Sequence, residues 1–475
     1  MNKAILLPLA AALALSGCSM VPEYLRPAAP VPSDWPTQAN GKNAIKFSDD
    51  WKAFFPDPTL QVLISTALEH NRDLRIAVGR VDEARALAGL ARADRFPTVD
   101  VNAQRSAGLT PADLSATGRE LSFQRYDAAF SITAFELDFW GRVKALDDAA
   151  RASFLSSEYA QRSFRLSLIS DVASAYFSLR ELEQRTALSE ATAKTREETR
   201  FLIEKRRDVG LAGDLDFYSA DGVWQAARAE TANLARQKAA AENALRLLVG
   251  SSLGSVVKPA PPIAGTADQA PTYVAPAEIA VELPSEVLLR RPDVLAAEQK
   301  LIAANANIGA ARAAFFPRIS LTGSLGLAST DLSGLFENTA WTFTGQLLQP
   351  LFDAGRNQAT LDATRAAHAI AVAQYEKAIQ VAFREVADVL AGRATLDDQL
   401  AALQAQVQAE ARRVELADLL LRGGVASQID RLDAERSLLI ARQAVVLLQQ
   451  ARLQNSVLLY RVLGGGAGPA RVAAR

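Results

Sequence analysis

Asp430 and Asp433 stand three residues apart near the start of the last helical stretch of the chain, so both carboxylates fall on one helix face. Where several carboxylates are brought close together they favour cations, can bind divalent ions, and raise one another's pKa by repulsion. A structural role competes for the first of them. Ser427-Gln-Ile-Asp430 has the spacing of a helix capping box, and an acid there also suits the positive end of the helix dipole. An earlier stretch carries Asp216 at the equivalent place but Ser219 where Asp433 stands, so Asp433 is the acid that distinguishes the later stretch. Other reactive side chains are sparse. His70 and His368 lack metal-ligand spacing, no glycine-lysine phosphate loop occurs, and Cys18 is the single cysteine. No bond chemistry, no enzyme and no cofactor are expected.

The elements that position those acids follow from the rest of the chain. With 475 residues, a net charge of −1 and 49% hydrophobic residues, the sequence has enough apolar material for a sizeable folded structure. The charge balance lacks the basic surface that nucleic-acid binding requires. The one long apolar run is N-terminal, too short for a spanning helix, and a helical membrane channel is excluded. That run, with Lys3 before it and Leu15-Ser16-Gly17-Cys18 after it, reads as a lipoprotein signal over residues 1–17. Cys18 is then the lipid-bearing first residue of the mature chain, and Ser19 after it favours an outer-membrane address. Residues 18–52 are proline-rich and read as an extended tether.

The remainder is one unit written twice. Asp73 and Pro97 recur as Asp293 and Pro317, displaced by 220; Gly141-Arg142, Gly210 and Asp216 recur as Gly355-Arg356, Gly424 and Asp430, displaced by 214. The six-residue slip is expected in a loop between two strands. The units are assigned to residues 53–249 and 284–463, separated by a proline-rich linker over 250–283 and followed by a tail over 464–475, where Gly464, Gly465 and Gly466 end the last helix.

Each unit reads as helix, two strands, very long helix, turn, helix. Arg142 to Val209 contains no proline and no internal glycine, so up to 68 residues can be helical, roughly 100 Å at 1.5 Å per residue. Two apolar seams run along it, Leu166, Ile169, Ala173, Tyr176 and Leu168, Val172, Ala175, Leu179, Leu182, both with coiled-coil spacing. A third stripe, Ser163, Ser167, Ser170, Ser174 and Ser178, is expected to face water. Two seams suit a closed ring of helices; a large solid bundle is the alternative.

The strands alternate with period 2. Ile319, Leu321, Leu325 and Leu327 oppose Ser320, Thr322 and Ser324, and Trp341, Phe343 and Leu347 oppose Thr342, Thr344 and Gln346. In the first unit Val99 and Val101 oppose Asp100 and Asn102, and Phe130, Ile132 and Ala134 oppose Ser131 and Thr133. About ten residues is the length of a tilted membrane-crossing strand. A half-buried soluble sheet has the same alternation. Four strands cannot close a pore, so in a membrane several chains must share one barrel.

The blocks WKAFFPDPTLQVLISTALEHNRDLRIA, ELDFWGRV, LLRRPDVLAAEQKLIAANANIGAARAAFFPRISLTGSLG, LFDAGR, YEKAIQVAFREVADVLA and LDAERSLLIARQ make the chain resemble an outer membrane factor, in the lipoprotein, OprM/NodT-like branch of the TolC superfamily. The resemblance implies a mainly α fold with a transmembrane β portion. Three identical chains, four strands each, would form a twelve-stranded barrel on a long periplasmic α-helical barrel. It also implies a periplasmic adaptor and an inner-membrane RND-type transporter as partners, outer-membrane lipid around the strands, and passive efflux of drugs or other small solutes. An exit duct for protein secretion shares the fold, and a lipid-tethered, non-conducting periplasmic coiled-coil scaffold is the alternative of another kind.

On that resemblance the functional end is the pair of turns at 209–216 and 423–430, far from the strands. Adaptor contact is expected at Gly210, Leu211, Ala212, Gly424, Val425, Ala426 and Ser427, with the two glycines acting as helix C-caps. Asp433 and Asp430 would line a constriction where three chains gather six carboxylates, a possible divalent-cation site. Ile429 would narrow it and Arg436 would form a tethering ion pair. A tyrosine common in the family just before the second turn is Leu421 here, so any hydrogen bond it makes must be supplied otherwise. Arg290-Arg291-Pro292-Asp293 is expected simply to start a helix.

Overall fold

The computed structural model describes residues 19–32, 35, 50–251, 274–277 and 285–465. Cys18, the signal segment and most of the linker lie outside the described residues. In chain order the elements are α1 (Trp51–Phe54), α2 (Pro58–His70), α3 (Arg72–Ala93), β1 (Val99–Thr110), β2 (Leu121–Glu136), α4 (Arg142–Asp208), α5 (Asp214–Val249), α6 (Pro292–Ala313), β3 (Arg318–Ser329), β4 (Thr339–Leu348), α7 (Arg356–Arg422) and α8 (Gln428–Val462). The repeat keeps the lengths of two of its helices. Both α3 and α6 have 22 residues, and both α4 and α7 have 67. No described helix is long and apolar enough to cross a membrane.

The slip between the units falls elsewhere than expected. The connections over 111–120 and 330–338 are nearly equal, whereas β2 has 16 residues and β4 has 10. Strand length, not loop length, absorbs most of the difference. A bulge in β2 contributes, because the register shifts between Ile132 and Phe135. Ala134 sits there at φ 49° and its N–H donates to Thr322 Oγ1 at 3.1 Å. The expected alternation therefore stops at Ile132. Thr133 and Ala134 together oppose Thr322, and the bulge returns Phe135 to the apolar face opposite Leu321.

The compact unit comprising Met1–Ala28, Arg80–Glu158 and Ala296–Lys377 contains the sheet. Its strands run in the order β1-β2-β3-β4, all antiparallel. The register gathers Val101, Phe130, Leu325 and Trp341 in one cross-strand row, with Ile132, Gly323 and Phe343 beside it. Ser131, Ser324 and Thr342 form a row on the opposite face. Val101, Phe130 and Trp341 are 73%, 62% and 72% exposed, so none of the described residues covers this part of the apolar face. The outer edges of β1 and β4 pair with nothing among the described residues.

Small side chains let helices approach closely below the sheet. Ala149 and Ala152 of α4 pack on Ala303 and Ala306 of α6, and Ser156 Oγ donates to the Ala296 carbonyl at 2.8 Å. Part of the segment expected to be a free tether is docked in this unit. Asn305 Nδ2 of α6 donates to the Pro22 carbonyl at 2.8 Å, and Arg26 reaches the buried Glu298 through Nε at 2.7 Å and Nη2 at 2.8 Å. Tyr24 Oη adds a third donor to Glu298 at 3.1 Å.

The other unit comprises Ala29–Gly79, Tyr159–Leu295 and Ala378–Arg475. Both seams of α4 are used here, since Ile169, Ala173 and Tyr176 are buried and so are Leu168, Val172, Leu179 and Leu182. The serine stripe does not simply face water: Ser170 is buried, and Ser178 Oγ accepts from Gln450 and Gln454 of α8 at 2.8 and 3.2 Å. Tyr176 Oη donates to Asp57 Oδ2 at 3.0 Å, while Asp57 Oδ1 caps α2 at the Thr59 and Leu60 N–H groups. Burial pushes the Tyr176 phenol up to about 12. Arg291 does more than start α6. It is buried, holds Asp293 at 2.7 Å and Glu385 at 2.9 Å, and donates to the Val462 carbonyl at 2.9 Å, joining three helices.

Candidate functional site

Two turns, each ending a 67-residue helix, form the candidate site. Both stop their helix by the same physics. The Leu211 N–H bonds the Arg206 carbonyl at 2.7 Å and the Gly210 N–H bonds Arg207 at 2.9 Å, with Gly210 at φ 75°. In the second turn Val425 bonds Leu420 at 3.0 Å and Gly424 bonds Leu421 at 3.1 Å, with Gly424 at φ 71°. Each is a Schellman cap, in which the left-handed glycine lets two otherwise unpaired carbonyls be satisfied.

The helix starts differ. Ser427 Oγ accepts from the Asp430 N–H at 3.2 Å, and Asp430 Oδ2 accepts from Ser427 N at 2.9 Å and Ser427 Oγ at 2.7 Å, a complete capping box. Gly213 takes the place of Ser427 in the first turn, leaving the one contact from Gly213 N to Asp216 Oδ2 at 3.4 Å. The hydrogen bonds from the Ser427 hydroxyl and N–H hold the Asp430 carboxyl below the usual aspartate range. Within one chain the shift is therefore downward, opposite to the one that gathered carboxylates would produce.

Asp433 is held by arginines from two directions. Arg436 Nη2, one turn along α8, reaches Oδ1 at 2.6 Å, the tether expected from the sequence. Arg413 Nη2 of α7 reaches Oδ2 at 2.9 Å, and this contact joins the two helices. Sequence reasoning missed Arg413, although Arg413 and Asp433 lie ten residues to either side of Gly423, which a hairpin folded at that point brings level. A second crossing contact runs from Arg431 Nε to Asp418 Oδ1 at 3.8 Å, and Arg422 also bonds Asp418 at 2.6 Å. The Arg413–Asp433 and Arg431–Asp418 pairs join α7 to α8 just before Leu421, where the resemblance implies a tyrosine, while Arg422–Asp418 lies within α7.

The first hairpin uses other groups. Arg200 Nε donates to Asp221 Oδ1 at 2.7 Å, and its guanidinium lies over the rings of Phe217 and Trp224 at 5.1 and 5.2 Å. Arg207 covers the Phe217 ring at 4.1 Å. Ala212 packs on a buried cluster of Ile203, Phe217 and Ala220, so it supports the turn more than it presents a surface. Ala426 is also half-buried. Exposed apolar area comes from Leu211 and Val425, 70% and 79% exposed, with Ile429 and three residues not singled out from the sequence, Val209, Leu215 and Tyr218. Leu215 could have been found as the repeat-mate of Ile429.

A divalent ion does not fit this site within one chain. Both Asp433 oxygens are bonded to arginine and Asp430 Oδ2 to Ser427, and the described residues contain no group of three potential ligands. Further carboxylates would have to come from other copies of the chain.

Comparison with known proteins places this geometry. The family model described as outer membrane efflux protein matches residues 63–251 and 283–465, the two repeats. The solvent efflux pump outer membrane protein SrpC of Pseudomonas putida is 41% identical, over 97% of this chain and 98% of its own. The cation efflux system protein CusC of Escherichia coli O157:H7 is 41% identical, over 98% and 99%. Among solved structures, a membrane protein from Pseudomonas aeruginosa superposes with a TM-score of 0.85 at 40% identity, covering 94% of this chain and all of that one.

Proposed function

This chain belongs to the outer membrane efflux protein family, and we propose that three copies close a β-barrel in the outer membrane and continue it with their helices as a passive duct. One observation carries the reading: an open four-stranded sheet whose apolar face and both edges are left uncovered by the described residues. An edge exposed to hydrocarbon leaves N–H and C=O groups unpaired at several kcal/mol each, so other copies must complete the wall. Two copies make eight strands, room for little more than side chains, whereas three make twelve and leave a lumen. The polar rows, such as Ser131, Ser324 and Thr342, then face water inside.

The duct performs no bond chemistry and selects solutes weakly, in keeping with relatives named for solvents in one case and for cations in another. Its energy comes from partners, a periplasmic adaptor and an inner-membrane RND-type transporter. The adaptor meets the exposed apolar residues of the two turns. Asp433, Asp430 and Ile429 from three chains narrow the passage there, and the Arg413–Asp433 and Asp433–Arg436 pairs hold it closed. A lipid on Cys18 anchors the docked N-terminal segment.

Gene deletion tests the reading. Sensitivity to organic solvents or antibiotics should rise and return to normal with a plasmid copy. Unchanged sensitivity, accompanied by loss of a secreted protein, would reassign the duct to protein secretion.

A further inference from the structure

Toward one end of the sheet its apolar face turns polar, and an arginine stands at the change. Arg105 of β1 pairs in register with Tyr126 of β2, which pairs with Ser329 of β3. Along β3, Ile319 and Ser329 stand on the same face ten residues apart, about 33 Å at 3.3 Å per residue. At a tilt of about 40° that spans about 25 Å of membrane normal, the height of the apolar band of an outer-membrane barrel. The Arg105 row therefore lies where the hydrocarbon ends. It is the end nearest the connections over 111–120 and 330–338, opposite the one where α3 and α6 lead into β1 and β3.

The arginine is fixed in place. Its Nε donates to Tyr126 Oη at 3.1 Å and its guanidinium carbon stands 5.6 Å from the centre of the Tyr126 ring. Its Nη groups have no partner among the described residues, and the residue is exposed. The acids of the strands, Asp100, Asp127 and Glu136, all occupy register positions of the opposite face, where Arg125 pairs with Asp127 at 2.7 Å. A guanidinium on a lipid-facing surface is costly at the midplane and costs almost nothing at the interface, where a phosphate offers it a bidentate partner.

We propose that Arg105, positioned by Tyr126, binds a phosphate group of the phosphorylated glycolipid of the outer leaflet, one site per chain. The inference rests on the barrel reading above, which sets this face toward lipid and this row toward the cell exterior. The Nε bond to Tyr126 leaves both Nη groups available to a phosphate.

The test is native mass spectrometry of the detergent-purified assembly titrated with bisphosphorylated lipid A or with the same lipid stripped of phosphate. Wild-type protein should retain the phosphorylated form at about tenfold lower concentration, the effect of one charge-assisted contact. Arg105→Gln should abolish that preference, Tyr126→Phe should weaken it, and Arg125→Gln on the other face should leave it intact. Equal retention of the two lipids, or a preference that survives Arg105→Gln, overturns the site. So does a case in which Arg105→Gln only lowers the temperature at which the subunits separate, since the guanidinium would then serve a subunit contact. A protein that runs as a monomer without detergent removes the barrel reading itself, a result distinct from an intact assembly that ignores phosphate.

Discussion

Arg413 Nη2 and Asp433 Oδ2 stand 2.9 Å apart across the second hairpin, while their repeat-mates, Thr199 and Ser219, carry no charge. The two hairpins of one chain are thus built alike but latched differently. The second carries the crossing pair Arg413–Asp433, and the first carries Arg200–Asp221 backed by aromatic rings.

Replacing Asp433 by Ala removes the acceptor of Arg436 and the contact by which Arg413 crosses to Asp433, leaving Arg413 with Glu410 at 3.3 Å and Ser437 at 3.4 Å. Single-channel conductance in planar bilayers should increase and cation preference should fall. Conductance and selectivity equal to wild type would remove Asp433 from the constriction. Thr199→Ala at the uncharged counterpart should change neither quantity.

Ser427→Ala removes one half of the capping box and should cost about 1 kcal/mol at the start of α8, seen as faster amide exchange over residues 428–431. The same box gives a pH dependence. Folding lowers the Asp430 carboxyl, so as the pH falls the unfolded chain takes up its proton first. The contribution is complete above the ordinary aspartate value of about 3.9 and is lost as the pH falls through the lower folded value. Relative to the intrinsic rate at each pH, exchange at the start of α8 should accelerate over that acid range in wild type, and in Ser427→Ala the acceleration should be smaller and should end at a higher pH. Identical profiles would mean that the box does not set the Asp430 titration.

How far this was legible in the sequence depends on what each feature needs. Periodicity and repeat arithmetic suffice for the 67-residue helices, the glycine caps and the polar and apolar strand faces, because these follow from local spacing. The bulge at Ala134 has no glycine to mark it, and it appears only when β2 is paired with β3. Arg26 and Glu298 are 272 residues apart, so no local pattern announces their contact. Serines 170 and 178 read as a polar stripe, yet α8 covers one side of α4 and turns them inward.

Arg26→Ala leaves the buried Glu298 carboxylate with Tyr24 as its one remaining side-chain donor. Docking of the N-terminal segment should weaken by about 2 kcal/mol, the scale of hydrogen bonds to a charged group. Limited proteolysis should then cut within residues 19–28 sooner than in wild type, with the rest of the digestion pattern unchanged. An unaltered cleavage rate would show that Pro22 and the contacts around it hold the segment without the ion pair.

Tyr176→Phe strips one donor from the buried Asp57 carboxylate, which keeps its α2 cap and the Val274 N–H at 3.2 Å. The loss should be about 1–3 kcal/mol of stability, read as a lowered thermal midpoint in detergent. A midpoint within error of wild type would mean that solvent replaces the phenol.

In the proposed barrel, other copies of this chain cover the free edges of β1 and β4 while lipid covers Val101, Phe130, Leu325 and Trp341. The direct measurement is the number of chains per particle in purified protein, by native mass spectrometry with and without detergent. Three chains, dispersed only while detergent is present, is the predicted result. A single chain that stays dispersed in plain buffer would contradict it.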